Sequence, residues 1–340
     1  MPGLVDRVVA VGPHAGAHRV AVRASVSVVV PLLVLLAVGH LEWSIYAAFG
    51  SFTCLYGRER VDRHRLTLQS TAGVVQVAMV TLGVLVATSP HRAWLSVPIT
   101  AVVAAGAAYL SARQGWHPPG SLFQVFAFAA VASVPSESDD IVPALVASAG
   151  AMLFALLVGN VGALWRRVRR TAAIEHSRPI GGAVEGVWRY ALQSGVGVLL
   201  AGSVATASGI GRPYWAMVGA VVPLAARALP VQLIRGLHRV VGTALGLGVA
   251  WVVLAAHPSG LAAVILIALF QAGAELLVGR NYALALVCVT PLALIMVHLV
   301  APVPTGELLA DRALETVIGV VIGVVLGYLT RPRPAGSVPA

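Results

Sequence analysis

The sequence predicts an all-α polytopic membrane protein with about 12 transmembrane helices, arranged as two tandem, parallel six-helix repeats. The first observation is composition: 58% of the 340 residues are hydrophobic and 11% are charged, whereas a soluble domain has roughly 25% charged residues. The second is a succession of apolar runs, most of them near the roughly 20 residues that cross a bilayer as a helix. The third is the clustering of arginines in alternate breaks between those runs, which is typical of cytoplasmic loops.

Apolar runs between charged or Pro/Gly-rich breaks predict six spans in each half, because a spanning helix satisfies its own backbone polar groups. In the first half, the predicted spans are 20–39, 43–56, 66–88, 93–112, 120–134 and 141–165. In the second half, they are 190–210, 214–226, 240–256, 260–278, 281–300 and 314–329. We expect the first span to be retained, because no clear small-residue cleavage site accompanies it.

The spans define the domain organisation and the orientation of the chain. An N-terminal arm, a first repeat, an Arg-rich linker, a second repeat and a tail are predicted at 1–19, 20–165, 166–189, 190–330 and 331–340. With the N-terminus in the cytoplasm, 20 of the 23 basic residues, all arginines, fall on the cytoplasmic side. Only Arg92, Arg212 and Arg312 fall outside. The positive-inside rule therefore predicts a multi-pass plasma-membrane protein with both termini in the cytoplasm.

The two halves also share a sequence register. Gly50 aligns with Gly219, and Arg58 aligns with Arg227, at the same separation of 169 positions. Matched loop lengths and matched basic loops accompany this register. Together they indicate a duplication, and the even number of helices in each half makes the repeats parallel.

Several function classes are excluded by what the sequence lacks. Without lysine, the chain has neither a Walker A phosphate loop nor a Schiff-base amine. Its two cysteines, Cys54 and Cys288, lie within apolar runs, so we expect no disulfide framework, no metal site and no cofactor. The arginines form short clusters between the apolar runs and do not lie on one amphipathic face, which argues against nucleic acid as a partner. No catalytic motif appears, so we expect no enzyme activity.

The second and eighth spans are too short to cross the bilayer as straight helices, and they occupy corresponding positions in the halves, which points to a central substrate site. Each begins with aromatic residues and runs into a basic loop that would attract an anion. The candidate substrate-binding residues are Tyr46, Arg58, Tyr214, Trp215, Arg227, Arg235 and Arg239. The alternatives are an interfacial aromatic belt and arginines that only determine topology.

Two further groups of ionisable residues lie in or beside the predicted spans. Glu275 lies one turn after Gln271, and a carboxylate in an apolar helix is a hypothesis for proton coupling, with pairing to Arg280 as the alternative. At the outer end of the last span, helix-neighbour spacing predicts that Asp311, Arg312 and Glu315 form a gate ion pair, or a stabilised helix start.

Four segments carry a resemblance to a known family. They are WSIYAAFGSFTCLYGRER at 43–60, GRPYWAMVGAVVPL at 211–224, RGLHRVVGTALG at 235–246 and NYALALVCVTPLAL at 281–294. The chain resembles the FUSC family of fusaric acid resistance-like and aromatic acid exporter-like membrane proteins. The resemblance implies an integral membrane transporter domain that exports aromatic or other organic acids. Plant aluminium-activated malate channels are distant relatives of that family and provide a channel alternative.

The sequence therefore predicts a membrane transporter that exports small aromatic or other organic anions, with proton coupling as an additional hypothesis. A passive organic-anion channel and a non-transporting membrane scaffold are the alternatives. The expected partners are membrane lipid and a small organic-anion substrate, and self-association into a homo-oligomer is left open.

Overall fold

A computed structural model of the chain describes residues 8–13, 17–57, 63–168, 186–226, 228–301 and 303–331. This described part contains twelve α-helices and no β-strand, which confirms the all-helical prediction for these residues. Arg58 and Arg227, two of the predicted substrate-binding residues, lie outside it. The same holds for most of the predicted linker and tail.

The helices follow one another with short connections. Helices α1 to α6 are Ala17–Val38, Ser44–Ser51, Arg63–Ala87, Arg92–Gln114, Leu122–Ser133 and Ile141–Val168. Helices α7 to α12 are Val187–Ala207, Tyr214–Leu224, Leu229–Ala255, Gly260–Leu277, Tyr282–Val300 and Thr305–Leu329. Short 3-10 turns precede α2, follow α2 and precede α6, at Leu41–Trp43, Phe52–Leu55 and Ser138–Asp140.

Eight of the described helices are long and apolar enough to cross a membrane. These are α1, α3, α4, α6, α7, α9, α10 and α11. Helices α5 and α8 are apolar but shorter, and α2 has only 8 residues. The exposed surface is rich in large apolar side chains, including Val102, Trp188 and Trp251. Such a surface fits a hydrocarbon environment.

The helices of each half pack in the same order. In the first half, α2 contacts α6, while α3 contacts both α5 and α6. In the second half, α8 contacts α12, while α9 contacts both α11 and α12. The halves meet where α4 packs on α7 and where α10 packs on α1. Near the centre, α5 contacts α8, and α11 contacts α2.

The two short helices α2 and α8 form the centre of the bundle. All 8 residues of α2 and all 11 residues of α8 are buried. Glycine allows their close packing: Gly50 on α2 lies against the carbonyl of Ser148, and Gly319 on α12 lies against the carbonyl of Ala216. Small residues at helix contacts replace the missing hydrophobic driving force between helices in lipid.

Two helices begin earlier than the hydropathy pattern predicts. Helix α9 begins at Leu229 instead of 240, and α12 begins at Thr305 instead of 314. Their first turns carry polar and charged residues, which lowered the local hydropathy and hid the helix. Residues expected in loops, such as Arg239 and Asp311, are therefore within helices and face the protein interior.

Residues 8–12 of the N-terminal arm pack against the second half. The carbonyl oxygen of Val8 accepts hydrogen bonds from His238 on α9 and from Asn281 before α11. The backbone N–H of Gly12 donates to the carbonyl oxygen of Arg280. We call the end of the bundle that carries this arm the N-terminal face.

Candidate functional site

The candidate site begins with an aromatic group between the two halves. Tyr214 and Trp215 open α8, and their ring centroids are 4.6 Å apart. Phe126 on α5 packs against Trp215 with centroids 4.9 Å apart, and Phe49 on α2 lies 5.0 Å from Phe126. The packing of α5 on α8 and of α2 beside α11 brings these rings together. They form a continuous apolar and π-rich surface from the first half to the second.

Arg312 extends this surface with a positive charge. Its guanidinium carbon lies 3.7 Å from the centroid of the Trp215 ring, a cation–π contact with a desolvated arginine. The residue is only 1% exposed. Its Nε and Nη1 atoms are buried and have no hydrogen-bond partner within the described residues. Arg312 therefore presents unused N–H donors inside the bundle.

Arg239 on α9 is a second buried cation near the first. It is 3% exposed, and its Nη1 donates to the Tyr282 hydroxyl at 3.2 Å. Its Nε and Nη2 find no partner in the part of the chain that the structure describes. Helix α9, which carries Arg239, packs against α12, which carries Arg312. Two like charges thus share one interior region, where a low effective dielectric strengthens their repulsion.

An acidic pair and a loop arginine close the other side of the cluster. Arg212, in the loop between α7 and α8, donates from Nη1 to Asp311 Oδ2 at 2.8 Å. Its backbone N–H donates to Glu315 Oε1 at 3.0 Å. A Cβ at the neighbouring Gly211 would lie 2.8 Å from Asp311 Oδ2, so a larger residue there would displace the Asp311 carboxylate. These two hydrogen bonds of Arg212 hold the α7–α8 loop against the buried side of α12.

Glu315 completes the charged cluster without neutralising it. Its exposure is 0%, and its Oε2 has no partner among the described residues. Glu315 lies one turn from Arg312 on α12. Within the described residues, no ion pair joins these two side chains, whereas Asp311 forms an ion pair with Arg212. The ion pair expected within Asp311, Arg312 and Glu315 is thus made between Asp311 and Arg212 instead.

A small apolar cavity adjoins the aromatic group. Its volume is about 30 Å³, roughly enough for one water-sized sphere. Phe49, Phe126 and Ala130 line it from the first half, and Ala293 and Met296 line it from α11. An aromatic ring does not fit in it as it stands. Ligand entry therefore requires these helices to separate.

The site has the chemistry of an anion receptor. Arginine N–H groups and aromatic rings match a carboxylate attached to an aromatic ring. In the described part of the chain, no group of three or more His, Cys, Asp or Glu is arranged to hold a metal ion. The two cysteines, Cys54 and Cys288, lie in different helical segments.

The structure brings some predicted site residues together and leaves others apart. Tyr214, Trp215, Arg239, Asp311, Arg312 and Glu315 belong to the cluster. Tyr46 is buried near Ser136 and Asp140, and Arg235 is half-buried on α9. Glu275 lies on α10, where it accepts a hydrogen bond from Gln271 at 3.4 Å.

The sequence does not identify Phe49, Phe126, Arg212 and Tyr282 as site residues, although they lie in the site. The sequence predicts for Arg212 only a position on the outer side of the membrane, and it predicts no role for Phe49, Phe126 or Tyr282. Both Arg212 and Tyr282 lie in the GRPYW and NYALAL segments that carry the family resemblance. That coincidence was the available signal. Phe126 is one of several phenylalanines in an apolar helix, and no sequence signal distinguishes it from the others.

Part of the second half is similar in sequence to a known family. Residues 199–326 match the family described as fusaric acid resistance protein-like. This segment contains every charged residue of the cluster. A relative, "Uncharacterized membrane protein YvaC" of Bacillus subtilis (strain 168), is 30% identical over 135 residues, which is 39% of this chain. The chain covers only about a fifth of that relative, 21% of its length. No solved structure matches the chain.

The segment that matches the family covers most of the helices of the second half. The matched segment runs from within α7 to the last turns of α12, so it includes the short helix α8 and its partner α12. This protein is a multi-pass membrane protein whose second helical group carries the sequence pattern of the fusaric acid resistance protein-like family.

Proposed function

We propose that this protein transports small organic anions across the plasma membrane, with aromatic carboxylates as the preferred substrates. The observation that carries the proposal is the buried pair Arg239 and Arg312. Each has two guanidinium nitrogens without a hydrogen-bond partner among the described residues. The described neighbours satisfy only part of their donor capacity.

The energetics of burial favour an anion at this place. A buried charge without full hydrogen bonding is costly, and two like charges raise the cost further. A carboxylate that accepts N–H bonds from both arginines offsets this cost through charge-assisted hydrogen bonds. Functional sites in transporters commonly keep such residues, because intramembrane ionisable groups bind and release the cargo.

The aromatic group supplies selectivity for a ring. Trp215 already binds one face of the Arg312 guanidinium, and Phe126 lies on the neighbouring side. A substrate ring that enters between Phe126 and the cavity wall would stack while its carboxylate reaches Arg312. The cavity lining from α2, α5 and α11 then becomes the path for the apolar part of the substrate.

The arrangement of helices supports a two-repeat transporter. We propose that all twelve helices belong to two tandem six-helix repeats, since each half packs its helices in the same order. Short helices at the repeat interface are typical of transporter sites. With both termini cytoplasmic, Arg212 and Asp311 form the outer closure of the site. In this view the whole chain belongs to the family that its second half matches.

The remaining predicted residues have supporting roles in this proposal. Arg58, Arg227 and Arg235 would attract anions to the cytoplasmic side by their charge. Glu275 is the candidate for proton coupling, because it is a buried carboxylate in an apolar helix. Export of aromatic acids would follow if an inward proton gradient drives the cycle.

The test is uptake of labelled benzoate into inside-out vesicles that contain the purified protein. We expect uptake that saturates and that falls at least about tenfold in Arg312→Gln and in Arg239→Gln, because each removes charge-assisted hydrogen bonds to the anion. The matched control is Arg92→Gln, which changes the same charge in a partly exposed residue at the start of α4.

The energy source is tested in the same vesicles. A pH gradient, acidic inside the vesicle, should increase accumulation in the wild type but not in Glu275→Gln. Flux that does not saturate and ignores the gradient would instead indicate a passive channel. Absence of benzoate flux in a correctly folded protein would contradict the proposed function and leave a scaffold role.

A further inference from the structure

The N-terminal arm is attached to the bundle by its backbone. The carbonyl oxygen of Val8 accepts hydrogen bonds from His238 and Asn281 at 2.9 and 3.0 Å. Asn281 also donates to the carbonyl oxygen of Ala10, and Arg280 donates to that of Gly12, both at 3.1 Å. The Gly12 N–H donates in return to the Arg280 carbonyl oxygen at 2.9 Å. The carbonyl oxygens of alternate residues thus bond to the bundle.

The side chains of the arm contribute little to this attachment. Val9 is 64% exposed and Val11 is 51% exposed, so both apolar side chains point away from the contact. Attachment through hydrogen bonds from bundle side chains to the carbonyl oxygens of the arm is weak, because each bond replaces one to water. The contact is therefore of the kind that opens and closes reversibly.

The residues that hold the arm are direct neighbours of the anion site. His238 precedes Arg239 on α9, and Asn281 precedes Tyr282, whose hydroxyl accepts from Arg239. His238 and Asn281 are each 7% exposed. The arm thus contacts the two positions that directly precede Arg239 and Tyr282 in the chain.

Helix α11 connects the arm to the cavity. Asn281 caps this helix, since its Oδ1 accepts from the N–H groups of Ala283 and Leu284. The same helix carries Ala293 and Met296 in the cavity wall. Because the cavity is too small for an aromatic ring, ligand entry must displace its walls. A shift of α11 would pull on Asn281 and thereby on the arm.

We infer that residues 8–12 form a strap that closes the N-terminal face of the anion site and opens when α11 moves. The inference rests on the proposed function for the identity of the site, and it adds a regulatory element to it. The strap is held by the side chain that also starts α11, so its release and the opening of the cavity are coupled through one residue.

The experiment measures access to the interior from the N-terminal face. Thr243 is 1% exposed and lies one turn beyond Arg239 on α9. A cysteine is placed there, Thr243→Cys, in a protein with Cys54→Ser and Cys288→Ser. The rate of its reaction with a membrane-impermeant maleimide is measured from that face in oriented vesicles.

Two variants release the strap in different ways. Asn281→Asp keeps the oxygen that caps α11 but removes the donor to Val8 and Ala10. Gly12→Pro removes the N–H that bonds to Arg280 and leaves the bundle unchanged. We expect each to speed labelling about tenfold, the effect of losing one or two hydrogen bonds. Val9→Ser is the control, because its exposed side chain takes no part in the contact.

The outcomes separate the strap from the transport function. Equal labelling rates in the wild type, Gly12→Pro and the Val9→Ser control would overturn the inference, even if Asn281→Asp failed to fold. Faster labelling in Gly12→Pro supports it. Labelling requires no substrate, so a protein that shows faster labelling without benzoate transport would contradict the proposed function alone.

Discussion

Helix α2 with its partner α6, and helix α8 with its partner α12, meet through the same kind of contact but bury different chemistry. In both pairs a glycine lies against a backbone carbonyl: Gly50 against Ser148 in the first, and Gly319 against Ala216 in the second. The buried face of α6 carries the small residues Ala144, Ser148, Ala151 and Ala155. The buried face of α12 carries Asp311, Arg312 and Glu315.

Neutral amides and hydroxyls make several polar contacts in the first half, which also buries Arg65 on α3. Gln69 donates to the Tyr56 carbonyl oxygen at 3.0 Å and accepts from Asn160 at 2.9 Å. Gln124 donates to the Tyr56 hydroxyl at 2.7 Å. Such bonds tie helices together without creating a strong field. The comparison teaches that the same kind of helix contact can bury small residues in one half and a charged cluster in the other.

The largest expected effect concerns the scaffold that both halves share. An alanine Cβ at Gly50 or at Gly319 would overlap with a backbone carbonyl oxygen. We expect Gly50→Ala and Gly319→Ala each to destabilise the protein by about 3 kcal/mol or more, as overpacking does when backbone must move. Size-exclusion chromatography and thermal unfolding in detergent measure the loss.

The control for the scaffold prediction is Gly106→Ala on α4. A Cβ at Gly106 meets no atom within 4 Å, and alanine favours a helix. This variant should be at least as stable as the wild type. Wild-type stability of either Gly50→Ala or Gly319→Ala would show that the close helix contact is not what holds that half together.

The next effect distinguishes the halves by their charges. Arg212→Gln removes the ion pair with Asp311 and should loosen the loop over α12, because breaking a largely buried pair leaves an uncompensated charge. Thr316 is 1% exposed. In the Arg212→Gln background, Thr316→Cys should react about tenfold faster with an impermeant thiol reagent from the face opposite the N-terminal arm. A tenfold change corresponds to about 1.4 kcal/mol in the free energy of opening.

A charge swap provides the control for this pair. Arg212→Asp combined with Asp311→Arg re-forms the ion pair in reverse and should return labelling towards the wild-type rate. If Arg212→Gln leaves the Thr316→Cys labelling rate unchanged, the ion pair does not close that side of the site.

Part of this comparison was predictable from the sequence. The short spans in corresponding positions identified the two central helices, and their aromatic starts identified Tyr214 and Trp215. The early turns of α9 and α12 were hidden because polar residues lower hydropathy even when the fold buries them. The pairing of Arg212 with Asp311 joins residues 99 positions apart. Only the packing of α12 on the α7–α8 loop reveals it.

A smaller effect tests the apolar cavity where the halves meet. Ala130 is 2% exposed and lines the cavity, so Ala130→Leu fills space that a substrate ring would use. We expect benzoate transport to fall about fivefold while acetate transport changes little, because only the ring requires that space. Val142→Leu, at an exposed position on α6, is the control. Equal losses for benzoate and acetate would contradict a role of the cavity in ring selectivity.

The smallest effect on transport is expected in the amide network of the first half. Gln69→Leu removes two hydrogen bonds, to Tyr56 and from Asn160, and should lower stability by about 1 kcal/mol. Benzoate transport per folded molecule should stay within about twofold of the wild type, since the change adds or removes no charge. A much larger loss of transport would place part of the anion site in the first half.

The most direct measurement is the location of a bound substrate. A structure of the purified protein with 4-bromobenzoate, whose bromine marks the ring, would show where the anion binds. The account predicts the carboxylate between Arg239 and Arg312 and the ring beside Trp215 and Phe126. Bromobenzoate bound elsewhere, with these two arginines still unoccupied, would contradict it.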